Sequence, residues 1–329
     1  MTSQAHVISG ASPVVDQSRA RLLKPADQAP KIGVQLTDVP DSIAQAIRQA
    51  SGVRDFVMLN PDKTRPDFEV RPNPRDNGWV LVPYSSTTDE PVPNDMIAEV
   101  PGPNVEDAPT LGTALGLGLV QWAKYWAILT RRNTDDSLRN ALSLTLLAGA
   151  DGQAMFNNPN DPQAAQPVQP NAADVCNVTN TDNLMLKVKI SPTCPTSLTV
   201  GILVCSNDGN ILPLWPSANA ESNMAPGNEK TIGFGSDLRA FRLRLSRPEQ
   251  TESLHTFKAF ATNAGTAIDL ASLAQKYTVQ DVIDAALPSR GAGRGGFDVS
   301  DAATPRVLWT TVELPVRVTK VAQPAQSPL

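Results

Sequence analysis

Histidine and cysteine are nearly missing from this 329-residue chain: it has two histidines, His6 and His255, and three cysteines, Cys176, Cys194 and Cys205. With no Cys-x-x-Cys pair and no His-Glu-x-x-His, a zinc site has no ligand set at a workable spacing. No Gly-x-Ser-x-Gly occurs, so the strained elbow that presents a catalytic serine is missing too. Acidic fragments such as NTDD and NNPNDP have the composition of calcium ligands, but no twelve-residue loop closes on a glutamate. No cofactor is implied. Positive charge is also in short supply, 28 Lys plus Arg against 33 Asp plus Glu for a net charge of -5, which argues against nucleic acid as a partner. No segment reaches the roughly 20 apolar residues of a membrane helix, and MTSQAHVISGASPVVDQSRARLL lacks the basic start and apolar core of a signal peptide. An odd number of cysteines without short spacing predicts reduced thiols and a cytoplasmic location.

Proline is plentiful where aromatics are scarce, 29 residues against 5%. That balance favours many short strands over long helices, and the expected fold is mainly β or α+β. Residues 1–30 read as a flexible leader. A small α+β unit is expected over 31–110, in the order β-α-β-β-β. KIGVQLTDV alternates as a half-buried strand, and Ile43, Ala46, Ile47 and Ala50 make one face of a helix that Gly52 stops. DFVMLN (55–60) is the next strand, and DFEVRPN and GWVLVPYS pair across a turn. The Pro- and acid-rich residues 86–110 are expected to leave the sheet. A bridging helix follows over 111–135; Trp122 and Trp126, at i and i+4, share an apolar stripe with Leu115, Leu119 and Leu129 that docks either internally or onto another chain.

An Ig-like β-sandwich is expected over 136–320. ALSLTLLAG opens it, and a long loop occupies 151–174. Strands are predicted at 184–190, 198–206, 210–215, 230–235, 238–246 and 255–262, two short helices near 266–287, and a last strand in RVLWTTVELPVRVTK. Residues 321–329 read as a tail. Within VGILVCSNDGNILPLWPS the turn Asn207-Asp208-Gly209-Asn210 folds two apolar runs into a hairpin, placing Cys205 and Leu203 on one face and Val204 on the other.

Two sets of residues invite a chemical reading. Cysteine or serine catalysis would have to use His255 as its base, with Cys205 the thiol on a neighbouring strand. An apolar run, however, makes a thiol a buried hydrophobe with a raised pKa. The run Arg290-Gly291-Ala292-Gly293-Arg294-Gly295-Gly296 lacks the lysine and following helix of a phosphate loop and reads as a flexible connector. Its arginines, Arg290 and Arg294, and the Arg131-Arg132 pair after the helix are candidate sites for an arginine-specific protease. Five tryptophans would serve a glycan- or small-ligand-binding sandwich if some line one exposed groove.

In order along the chain, WAKYWAILTRRN, LSLTLL, LMLKVKI, ILPLWPS, the turn Ala225-Pro226-Gly227, the Lys-Ala-Phe-Ala-Thr strand at 258–262 and LWTT together resemble the accessory region that follows the peptidase domain in bacterial and fungal caspase-like proteins. The resemblance spans roughly residues 30 to 320 and rests on the order of its motifs. It implies that ILPLWP and Lys-Ala-Phe-Ala-Thr lie in a β-sandwich and that catalysis belongs to a separate peptidase domain, whose His-Gly and downstream Cys do not occur here. By this resemblance the chain is a non-catalytic accessory, regulatory or substrate protein of a caspase-like protease, in a bacterial defence pathway, and no catalytic residue carries over.

Overall fold

The computed structural model describes residues 31–62, 65–75, 78–84, 96–100, 108–131, 138, 140–149, 165–216, 222–233, 240–247, 249–263, 270, 273–286 and 309–321. The first unit comprises β1 (Ile32–Leu36), α1 (Asp41–Gln49), α2 (Val53–Phe56), β2 (Val57–Leu59), β3 (Phe68–Asn73), β4 (Gly78–Pro83) and β5 (Ala98–Val100). Its sheet runs β2-β1-β3-β4-β5. β1 is parallel to β2 and β3, so α1 serves as the crossover that a parallel pair requires. Two details differ from the sequence reading. β5 lies within the stretch expected to leave the sheet, and Gly52 does not terminate α1. The helix ends at Gln49, and Gly52, at φ 83°, makes the left-handed turn into α2, which takes Asp55 and Phe56 from the expected strand.

The long helix α3 (Ala108–Leu129) is apolar on most sides because it is covered on most sides. Gly112 and Gly116, one turn apart, let α1 approach closely: a Cβ on them would sit 2.5 Å from the Ala46 Cβ and 2.4 Å from the Ala50 Cβ.

Beyond α3, β6 (Leu142–Gly149), β7 (Ala165–Pro167), β9 (Leu184–Ile190) and β13 (Glu229–Ile232) form a four-stranded sheet in the order β13-β9-β6-β7. The other sheet runs β11 (Ile211–Trp215), β10 (Leu198–Ser206), β14 (Glu252–Thr262), β15 (Trp309–Thr319), β8 (Cys176–Thr179), with the short β12 (Asn223–Met224) also paired to β10. The fold is thus mainly β. The expected loop at 151–174 contains β7, paired to β6 through Leu147, Ala148 and Gly149. Of the expected strand at 238–246, the described residues 240–246 form no strand. Phe241 makes an isolated bridge to Leu184, after which the Arg244 carbonyl and the Ser246 hydroxyl turn to side-chain partners instead of a ladder. Of the two helices expected near 266–287, α4 (Val279–Ala286) is present and most of the first lies outside the described residues.

β10 is buried on both faces. Val200 and Ile202 enter the core between the two sheets, with Leu146, Leu186, Phe257 and Val316. Leu203 and Cys205 point the other way, into a core shared with Phe260, α3 and the first sheet's Val34 and Val70. Val204 packs on the inter-sheet side, so the hairpin has the face assignment its alternation requires. At about 1.5–3 kcal/mol for each large side chain removed from water, a strand buried twice is a main contributor to cohesion between the layers.

Candidate functional site

Cys205 and His255 lie on adjacent strands but on opposite faces. Their register partners are Thr256 and Ser206 respectively, one residue out of step, so β10 and β14 hold the two side chains apart. Cys205 is fully buried, and burial pushes its thiol up to about 12, the nearby Lys258 lowering it and Glu313 raising it less. A thiol that stays protonated at neutral pH is a packing group.

His255 is 4% exposed and sits in a polar network. Its Nε2 lies 2.9 Å from the Arg244 carbonyl oxygen, which can only accept. The ring proton therefore resides on Nε2, leaving Nδ1 to accept from the Ser206 hydroxyl at 3.0 Å. The Ser253 hydroxyl is 3.3 Å from Nε2 and, with Ser246, donates to Asn207 Oδ1. Desolvation lowers the imidazole to about 4, the Arg244 carbonyl opposing it. The sequence reading singled out His255 but not Ser206, the hydroxyl that faces it. The alternation of β10 could have revealed Ser206, since residues 204 and 206 share a face.

Among the described residues, the charged side chain with the least exposure is one that the sequence reading met only within a strand motif. Lys258, on β14, is fully buried; its Nζ lies 2.6 Å from Glu313 Oε1 on β15 and 2.7 Å from the Leu129 carbonyl oxygen, the last of α3. The pair is set by register, Lys258 opposite Glu313, and the ammonium meets the negative end of the helix dipole. Beside it is an open cavity of about 390 Å³ lined by Trp126, Leu129, Thr130, Thr256 and Glu313. Glu313 thus carries a carboxylate at the cavity wall with its charge compensated from beneath.

Trp122 and Trp126 belong to one aromatic cluster. Trp122 stacks on Tyr125 at 4.7 Å, and Phe68 of β3 meets both indoles edge-on, at 5.4 and 5.3 Å. Trp122 is buried within the chain. Trp126 is half-buried and reaches the cavity. Trp215 is buried and Trp79 half-buried, so of these tryptophans Trp126 is the one that meets the cavity.

Tyr125 and Asp208 form a second buried polar spot between α3 and the β10–β11 turn. Burial raises both, and the nearby Asp208 raises the phenol further. Arg131 is half-buried just past α3, where desolvation lowers its guanidinium below the ordinary value. Arg132, Arg290 and Arg294 lie outside the described residues. No group of three His, Cys, Asp or Glu among the described residues could hold a metal ion, and no described helix is long and apolar enough to cross a membrane.

The class these features define is a mainly β protein in which two sheets enclose one core and a long helix fastens a small α+β unit to the outer face of one of them. Family models, curated proteins and solved structures were each compared with the chain, and none matches.

Proposed function

We propose that this chain acts by binding another protein rather than by catalysis, and that its partner is a caspase-like protease, for which it is a regulator, a targeting module or a cleaved substrate in a bacterial defence pathway. The observation that carries the non-catalytic part is the separation of Cys205 from His255 across the sheet. The thiol is held protonated by burial, and the imidazole, lowered to about 4, is saturated by Ser206 and Arg244. The protease part draws its support from motif order: the hairpin ending in ILPLW, the Lys-Ala-Phe-Ala-Thr strand and the strand that begins at Trp309-Thr310-Thr311 occupy the consecutive positions β11-β10-β14-β15 of one sheet. The test is incubation with a caspase-like protease, read by complex formation on size exclusion and by mass spectrometry of chain ends. The expected result is a complex, or a cut at Arg131, Arg132, Arg290 or Arg294. Neither a complex nor a cut at any of the four would remove the protease from the proposal.

A further inference from the structure

The cavity at the end of α3 brings three kinds of surface together. Trp126 and Leu129 line it with apolar atoms, Thr130 and Thr256 with hydroxyls, and Glu313 with a carboxylate. Its volume of about 390 Å³ falls within the roughly 300–1,000 Å³ of clefts that hold small molecules. Thr256 is 8% exposed, yet its hydroxyl makes no hydrogen bond to any described residue. A hydroxyl buried to that extent ordinarily has a partner, so Thr256 has capacity for one supplied from the cavity. Its place is fixed by the sheet: Thr256 of β14 stands opposite Cys205 of β10 and Pro315 of β15. Glu313 lies two residues from Pro315, so the alternation of β15 returns it to the same face. The Thr130 hydroxyl donates to the Trp126 carbonyl at 2.7 Å and keeps its oxygen as an acceptor.

Charge selects the ligand. Among the described residues Glu313 is the one charged side chain that lines the cavity, and 23% of it stays exposed. An anion would meet that carboxylate and the negative end of α3. A cation would stand against the Lys258 ammonium, which already holds Glu313 Oε1 at 2.6 Å and the Leu129 carbonyl at 2.7 Å. A carboxylate compensated from beneath suits a neutral hydrogen-bond donor, since an ionised carboxylate accepts at about four sites. The apolar wall calls in addition for a ligand with a C–H face to lay on the indole. We propose that this cavity binds a neutral sugar ring, its hydroxyls donating to Glu313 and Thr256 and its C–H face packed on Trp126 and Leu129. The site goes beyond the protease reading and does not depend on it.

The test is saturation-transfer NMR on the full chain at about pH 6 with glucose, galactose, mannose and N-acetylglucosamine, beside glucuronate and glucosamine as anionic and cationic rings of the same size. At least one neutral sugar is expected to give a saturable signal in the millimolar range and to bind about tenfold more tightly than glucuronate or glucosamine. Thr256→Val removes the hydroxyl at nearly constant volume and is expected to weaken that sugar about fivefold, whereas Thr256→Ser is expected to retain it. Thr130→Arg, at an exposed position, sets a guanidinium at the cavity wall and is expected to abolish binding. No saturable binding of any neutral sugar, or glucuronate or glucosamine binding as tightly as the best of them, overturns the proposal. Unchanged binding in Thr256→Val overturns it too, because the sugar then does not use that hydroxyl. Should Thr256→Val fail to fold by circular dichroism, unchanged binding in Thr130→Arg is the overturning result.

Discussion

Replacing Lys258 with methionine is the sharpest test of how the helix is fastened to the sheet. Methionine keeps the unbranched stem and removes the ammonium, so the change isolates the charge from the packing. Breaking a buried ion pair by removing one member costs about 3–5 kcal/mol, because the remaining charge stays desolvated. Glu313 retains 23% side-chain exposure, so water recovers part of that loss, and the Leu129 carbonyl loses its donor as well. The net expectation is a loss of about 2–4 kcal/mol. Glu313→Gln strands a fully buried ammonium and is expected to cost at least as much. The double variant Lys258→Met with Glu313→Gln removes both charges, and its cost is expected to fall short of the sum of the singles by about 1–3 kcal/mol. Urea denaturation followed by tryptophan fluorescence and by far-ultraviolet circular dichroism supplies the cycle, read where the two probes coincide. A cost below about 1 kcal/mol for Lys258→Met, or a coupling indistinguishable from zero, would refute the claim that this pair clamps α3 to β14 and β15.

Gly112→Ala gains about 1 kcal/mol of helix propensity, yet its Cβ would meet the Ile43 carbonyl oxygen at 2.6 Å as well as Ala46. Net destabilisation of about 1–3 kcal/mol by denaturation is therefore expected, and a stabilised variant would disprove the close helix contact. Iodoacetamide at pH 8 is expected to leave Cys205 unmodified in the native chain and to label it after unfolding, as read by peptide mass spectrometry; rapid native labelling would contradict a thiol raised to about 12. His255 binds its proton near pH 4 when folded and near 6.5 when free, so the unfolded chain takes up the extra proton between those values. Stability from this group is then complete above about pH 6.5 and declines as pH falls towards 4, by at most about 3 kcal/mol. His255→Asn is expected to flatten that part of the stability profile, and an unchanged slope would speak against a desolvated neutral imidazole.

Strands that carry their own pattern were readable from the sequence, and strands that borrow their stability were not. β10 announces itself with nine residues of almost unbroken apolar character, and the turn after it with Asp208-Gly209. β5, β7, β8 and β12 have two to four residues each and exist because a longer neighbour offers them a ladder. The reverse error over 240–246 has the same root. FRLRL alternates like a strand, but no strand is there to receive it beyond Leu184, and His255 takes its Arg244 carbonyl. In the candidate site, the isolation of His255 was visible from composition. The Lys258–Glu313 pair was not, because it depends on a register between residues 55 apart in the chain.

The position of β15 has a consequence for how the chain is made. It lies between β14 and β8, and β8 is its parallel neighbour, synthesised more than a hundred residues earlier. While the ribosome is still extending the chain, β8 has no strand to join and β14 presents one bare flank eleven residues long. The sheet closes only once residue 319 has cleared the exit tunnel. A stall or truncation upstream of β15 would leave an intermediate whose β14 flank is suited to pairing with that of a neighbouring nascent chain on the same message.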